Sequence, residues 1–146
     1  MLAFNKARAK FYPYNEVYLE APKKAINLPE GSPTKHQYVR LDSYVPGKEI
    51  VSRKYTQLSE VSEETAIRYL KELSDKYAPG SIIADVPSNR TGVNKGIFEV
   101  NQGNDLKGKM ILEVPVQAKA VPKRVIDYAS LKGIKIRDTN NHIYNK

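Results

Sequence analysis

The chain has 146 residues, 40% hydrophobic and 27% charged, which is enough for one domain with a core of its own. It has no cysteine, so disulfides, thiolate metal sites and a cysteine nucleophile are excluded, and no apolar run reaches the roughly 18–20 residues of a membrane span. The 24 Lys and Arg against 16 Asp and Glu give a net charge of +8, which favours a polyanionic partner because neutralised phosphates release counterions.

The start, MLAFNKARAKFY, places charges where a signal peptide carries its apolar stretch. Residues 1–34 carry Pro13, Pro22, Pro29 and Pro33 and hold no sustained period through FYPYNEVYLE and KKAINLP. They predict an irregular arm, with at most one short helix and one strand, ahead of a single domain over residues 35–146. Tyr12, Tyr14 and Tyr18 beside Lys and Arg suit either base stacking or packing on the body.

Residues 38–58, YVRLDSYVPGKEIVSRKYTQL, read as two strands about a Pro46-Gly47 turn. Successive side chains on a strand alternate between faces, so Arg40, Asp42 and Tyr44 share one face, as do Glu49, Val51, Arg53 and Gln57 on the returning strand. With Gly47-Lys48 as the loop residues, Asp42 falls opposite Arg53, an ion pair worth about 0.2–1 kcal/mol. Arg40, Asp42, Ser52, Arg53, Lys54, Thr56 and Gln57 gather acid, cations, hydroxyls and amide on one ribbon, as a phosphodiester-handling site requires.

A helix follows over residues 63–77, with Ser62 as N-cap, Glu63 and Glu64 in the first turn, and Ala66, Leu70, Leu73 and Tyr77 in an apolar stripe. SIIADVPS, residues 81–88, reads as a short strand before a long loop rich in Gly and Asn, whose spacing fits no nucleotide-binding fingerprint. MILEVPVQ, residues 110–117, is the best core strand, with Pro115 marking an edge or a bulge near its end. Pro122 opens a second helix to about Leu131, stopped by Gly133. IKIRDTNNHIY then forms a hairpin about Asn140-Asn141. These elements predict an α+β domain, a mostly antiparallel sheet with two short helices, of the small nuclease-like kind.

Two chemistries fit the residues. A metal-dependent nuclease needs acids to hold Mg²⁺ and a Lys near the attacking water. Asp42 and Lys54 fit in part, but Ser52 stands where such sites place an acid, so Glu49 or Glu113 would complete the ligand set. A metal-independent ribonuclease needs no cofactor, only a base, a proton donor and cations for the phosphate. Asp42, Arg53, Lys54, Thr56, Gln57 and His142 supply candidate catalytic groups, and Arg40, Ser52 and Arg137 candidate substrate contacts. His36 and His142 are the two imidazoles.

Arg40-Leu41-Asp42-Ser43-Tyr44, Ile50 to Leu58, Leu112 to Gln117 and Ile136-Arg137-Asp138, spaced over residues 37–145, together resemble the terminal module of bacterial polymorphic toxins, as found in contact-dependent inhibition and Rhs-type secreted proteins. The resemblance implies the payload of a longer secreted protein, acting in the cytoplasm of a neighbouring cell and neutralised by a cognate immunity protein. Nucleases dominate such payloads, and the expectation is cleavage of RNA, such as tRNA or rRNA, ahead of DNA. The immunity protein is expected to be acidic and to cover the hairpin around Arg53 and Lys54. The alternative is a non-catalytic basic module that binds nucleic acid or an acidic protein.

Overall fold

The computed structural model describes residues 2–22 and 37–145. KKAINLP, Pro33 and His36 lie outside the described residues. Helix α1 (Leu2–Ala9) and strand β1 (Tyr14–Glu20) are followed by β2 (Tyr38–Val45), β3 (Glu49–Arg53), α2 (Glu63–Lys76), α3 (Ile97–Asn101), β4 (Lys109–Val114), α4 (Lys123–Leu131) and β5 (Ile134–Asp138). The fold is α+β, built on one five-stranded sheet in the order β1-β2-β3-β4-β5. Its first half is antiparallel and its second half, β3-β4-β5, is parallel. Parallel neighbours need crossover connections, and α2 and α4 supply them. Both helices expected from the sequence are present, and α1 and α3 add to them.

The β2–β3 turn sets the register of everything that follows. Lys48 N–H donates to the Val45 carbonyl at 2.9 Å, and Gly47 at φ +77° takes the left-handed position that a Pro-Gly turn demands. The loop is therefore Pro46 to Lys48, closing on the pair Val45↔Glu49 rather than on two loop residues. Ser43 faces Val51, and the same register runs on to set Asp42 across from Ser52, not Arg53. A slip of one residue moves side chains to the other face. Asp42 still reaches Arg53, but through the backbone: Arg53 N–H donates to Asp42 Oδ2 at 2.7 Å.

One face of the sheet is apolar. Ile50, Met110, Leu112, Val114, Ile134 and Ile136 pack in a single core with Ala66, Leu70 and Leu73 of α2 and Val125 and Ala129 of α4. Ser62 caps α2 by accepting from Thr65 N–H at 3.1 Å, and Gly133 at φ +71° follows α4. Arg124 of α4 reaches Glu63 and Glu64 of α2 at 3.5 and 3.4 Å, tying the two helices at their exposed rim.

Residues 81–88 do not form a strand. They make isolated bridges, Leu19↔Ile83 and Ile82↔Asp105, because the loop beyond is anchored by asparagines instead. Asn89 accepts from Tyr18 N–H at 3.2 Å and donates to the Tyr18 carbonyl at 2.9 Å, and Asn94 does the same for Asn15 at 3.1 and 2.8 Å. Their amides imitate a neighbouring strand and close the outer edge of β1, which would otherwise offer free backbone groups for aggregation. At the start of β4, Gly108 stands at φ +138°, where a Cβ would sit 2.6 Å from the Lys48 carbonyl carbon. Only glycine lets β4 approach β3 so closely.

Candidate functional site

Alternation sends Arg53 and Glu113 to the face opposite the α2–α4 core. The parallel register aligns Arg53↔Glu113 and Glu113↔Arg137, a row of alternating charge near the C-terminal ends of three adjacent strands. Such ends are where α/β sheets place ligands. Arg53 is 2% and Glu113 0% exposed, so burial of the row would be costly without close pairing. Arg53 Nε donates to Glu113 Oε1 at 2.6 Å, and Arg53 Nη2 donates to Ser43 Oγ, which in turn donates to Asn15 Oδ1. Arg137 holds Glu49 with both terminal nitrogens, at 2.7 and 2.9 Å.

The segment formed by α1 and the turn after it lies over this row. Arg8 Nε and Nη2 donate to the two Glu113 oxygens at 3.3 and 3.2 Å. Tyr12 hydroxyl donates to Glu113 Oε2 at 2.7 Å and accepts from Arg137 Nη2 at 2.8 Å, while the Arg53 guanidinium lies 4.9 Å from its ring centroid. Asn5 Oδ1 accepts from Arg53 Nη1 at 3.4 Å. Three guanidiniums, two carboxylates and a phenol, from α1, the turn after it, β3, β4 and β5, thus form one network.

Electrostatics follow from that packing. Burial alone would raise the Glu113 carboxyl, but hydrogen bonds from Arg8, Tyr12 and Arg53 outweigh it and hold its pKa below the ordinary value. Burial raises the Tyr12 phenol, and its bond to Glu113 adds to the rise. Arg137 is raised by its bonds to Glu49. Asp42 moves the other way from Glu113: burial raises its pKa despite the Arg53 N–H and the nearby Arg53, Lys54 and Arg40 charges.

Two clefts meet the network. One of about 480 Å³ is lined by Asn5, Lys6, Asn15, Glu16, Arg40, Asp42 and Arg53. Another of about 470 Å³ is lined by Arg8, Phe11, Tyr12, Lys48, Glu49, Arg137 and Asn141. Of the residues singled out from sequence, Arg40, Asp42 and Arg53 therefore share a cleft, and Arg137 joins Arg53 through Glu113 and Tyr12. The others are placed elsewhere. Ser52 is buried and, by alternation, on the face away from Arg53. Lys54 turns to α2, 3.4 Å from Glu72 and 5.1 Å from the Tyr69 ring centroid. Thr56 and Gln57 border a small cleft of about 150 Å³. The Gln57 amide is spent on backbone, donating to the Val116 carbonyl at 3.0 Å and accepting from Ala118 N–H at 2.8 Å. His142 is exposed in the last turn, edge-on to Tyr144 at 4.6 Å between ring centroids.

The acids do not assemble into a Mg²⁺ ligand set. Among the described residues no group of three or more His, Cys, Asp or Glu side chains could hold a metal ion. Glu113 is enclosed by Arg8, Arg53 and Tyr12, Glu49 is gripped by Arg137, and Asp42 stands apart from both pairings. Arg8 and Ser43 were not legible as site residues and Tyr12 was read only as a stacking or packing aromatic, whereas Glu113, a charge inside the apolar run MILEV, carried a visible signal. Among the described residues no helix is long and apolar enough to cross a membrane. Comparison of the chain with protein-family models, curated proteins and solved structures gives no match.

Proposed function

We propose that the chain is a toxin domain that cleaves RNA without a metal cofactor, using the charged face of its sheet. The observation that carries this reading is the Arg53–Glu113–Arg137 row at the strand ends, flanked by a cleft that Arg40, Asp42 and Arg53 line and where the Asp42 carboxylate accepts from the Arg53 backbone N–H. A phosphodiester in that cleft meets the exposed Arg40 guanidinium and the Asp42 carboxyl, whose pKa burial raises, with the buried Arg53 guanidinium behind them. Asp42 takes the proton from the ribose 2′-hydroxyl, whose oxygen attacks phosphorus. The bond to the 5′-oxygen breaks as that oxygen takes a proton from solvent water, leaving a 2′,3′-cyclic phosphate, and Asp42 returns its own proton to solvent. Arg53, fixed by Glu113 and Ser43, and Arg40 bear the charge that develops on phosphorus. DNA lacks the internal nucleophile, and the dispersed acids give no support to a two-acid Mg²⁺ route.

The resemblance of residues 37–145 to polymorphic toxin modules supports the biological setting: delivery as part of a larger secreted protein, action in the target cytoplasm, and an acidic immunity protein as blocker. The net charge of +8 suits both an RNA substrate and that blocker. The test is incubation of the purified domain with total RNA and with plasmid DNA, with and without EDTA. RNA cleaved to cyclic-phosphate ends in EDTA, with plasmid intact and Asp42→Asn inactive, is the expected result. A folded protein that cuts neither polymer leaves the non-catalytic basic module in its place.

A further inference from the structure

Phe11, directly after α1, is 61% exposed although it adjoins the buried network. Two cations attend its ring, the Arg8 guanidinium at 4.7 Å and the Lys10 ammonium at 5.3 Å from the centroid. Phe11 also lines the cleft that contains Lys48 and Arg137. Arg137 carries an independent sign: its Nε is buried with no hydrogen-bond partner among the described residues, while both terminal nitrogens are engaged by Glu49 and Tyr12. Buried donors are almost always satisfied, and an orphan donor on a side chain that lines a cleft fits an acceptor that comes from outside. In this cleft the cations outnumber the single carboxylate, Glu49, which Arg137 already neutralises.

An exposed aromatic ring, flanking cations and a donor without its acceptor are parts from which a site for unpaired nucleotides is built. Taking the proposed RNA-cleaving role as premise, we infer that this cleft is a substrate subsite for a single-stranded nucleic acid. One unpaired base stacks on Phe11, and the adjoining phosphate sits between Lys48 and Arg137, its oxygen accepting from Arg137 Nε. The subsite lies beside the Asp42 cleft, with the Arg53–Glu113–Arg137 row joining the two. It selects strands whose bases can leave the helix, because a duplex buries the base face that Phe11 needs.

The test is fluorescence anisotropy with a labelled 2′-O-methyl RNA octamer, which has no free 2′-hydroxyl to attack, alongside its deoxy counterpart, its duplex and polyglutamate. Phe11→Ala is expected to weaken both single strands by about 5- to 150-fold, the equivalent of about 1–3 kcal/mol of base stacking. Phe11→Trp retains them, and Lys48→Ala lowers the salt dependence by about one phosphate contact. Unchanged single-strand affinity in Phe11→Ala overturns the subsite, as does equal binding of duplex or polyglutamate with no dependence on Phe11. Parallel cleavage assays separate the two readings. Phe11-dependent binding without RNA cleavage removes the catalytic role and keeps the subsite, whereas cleavage at parental KM in Phe11→Ala keeps catalysis and removes the subsite.

Discussion

The two faces of the sheet are drawn from alternate residues of the same strands and solve opposite problems. Toward α2 and α4, Ile50, Leu112 and Ile136 fill a continuous apolar core. Toward α1, Arg53, Glu113 and Arg137 occupy the neighbouring positions, with Val51 and Ile111 as apolar floor. The apolar face gains from burial in proportion to area, with little demand on geometry. The charged face gains only if every donor meets its acceptor, since a buried ion without its partner costs far more than the pair returns. A fold that needed stability alone would have covered both faces with aliphatic side chains. The charged row is confined to one side, at the strand ends and beside open clefts, and the proposed site rests on that placement.

The largest effect expected is on the stability of the charged face. Glu113→Gln leaves Arg8 and Arg53 facing a neutral amide and is expected to destabilise the fold by about 3–5 kcal/mol, the range for breaking a buried pair from one side. Urea unfolding measures it. Removing both charges, Arg53→Met with Glu113→Leu, is expected to restore most of that stability while abolishing RNA cleavage. Recovery of stability together with full activity would show the row to be scaffold.

Acid titration sharpens the same contrast. The folded Glu113 carboxyl has its pKa depressed, so its contribution to stability is present above the ordinary glutamate range and is lost as pH falls through the folded value. Acid unfolding of the parent should therefore shrink sharply in the Arg53→Met, Glu113→Leu pair. Asp42 has the opposite sign: its folded pKa is raised, so its environment favours the protonated form and stability falls as pH rises through the folded value. As the base of the proposed cleavage it must be ionised, which places the acidic limb of kcat/KM above the ordinary aspartate range. Asp42→Asn should remove that limb and cost about 10²- to 10⁴-fold in rate with little loss of stability.

How far these positions could be read from sequence depends on how local their causes are. Helix α2 was legible because Ser62, Glu63 and the Ala66–Leu70–Leu73 stripe act within one segment. The pairing of Asp42 with Arg53 was half legible. Both residues stood out, but their register rests on whether the turn has two or three loop residues, which the Val45↔Glu49 pair decides. The parallel order of β3, β4 and β5 and the covering of Glu113 by Arg8 and Tyr12 were not legible at all. Those contacts join residues 101 and 105 positions apart, and no local pattern announces them. The loop of residues 89–108 read only as a long connection rich in Gly and Asn, because Asn usually signals turns, whereas buried Asn89 and Asn94 spend their amides completing β1.

A smaller effect is expected at the seam between the two halves of the sheet. Gly108→Ala drives a Cβ into the backbone at Lys48 and forces an unfavourable φ, at a cost of about 1–3 kcal/mol. Because β4 carries both Leu112 and Glu113, a shift at its first residues disturbs the two faces together. Gly47→Ala meets no neighbour and bears only the strain of its turn, so its cost should be lower. The difference between these two variants in urea unfolding separates steric from conformational demand.

The smallest effect expected is at Lys54, the residue that follows Arg53 and yet belongs to the other side. Its backbone still runs with β4, donating to the Glu113 carbonyl at 3.0 Å, but its ammonium turns to Glu72 and Tyr69 of α2. Glu72 is shared with Lys76 at 3.6 Å, so loss of Lys54 leaves that carboxylate paired. A partly exposed, screened pair of this kind contributes about 0.2–1 kcal/mol. Lys54→Ala is therefore expected to unfold at nearly the parental urea concentration and to cleave RNA at the parental rate, while Arg53→Ala loses activity. A large loss of kcat in a stable Lys54→Ala protein would mean that the ammonium leaves Glu72 when substrate binds, and would extend the site around the end of β3 onto the helix-covered side.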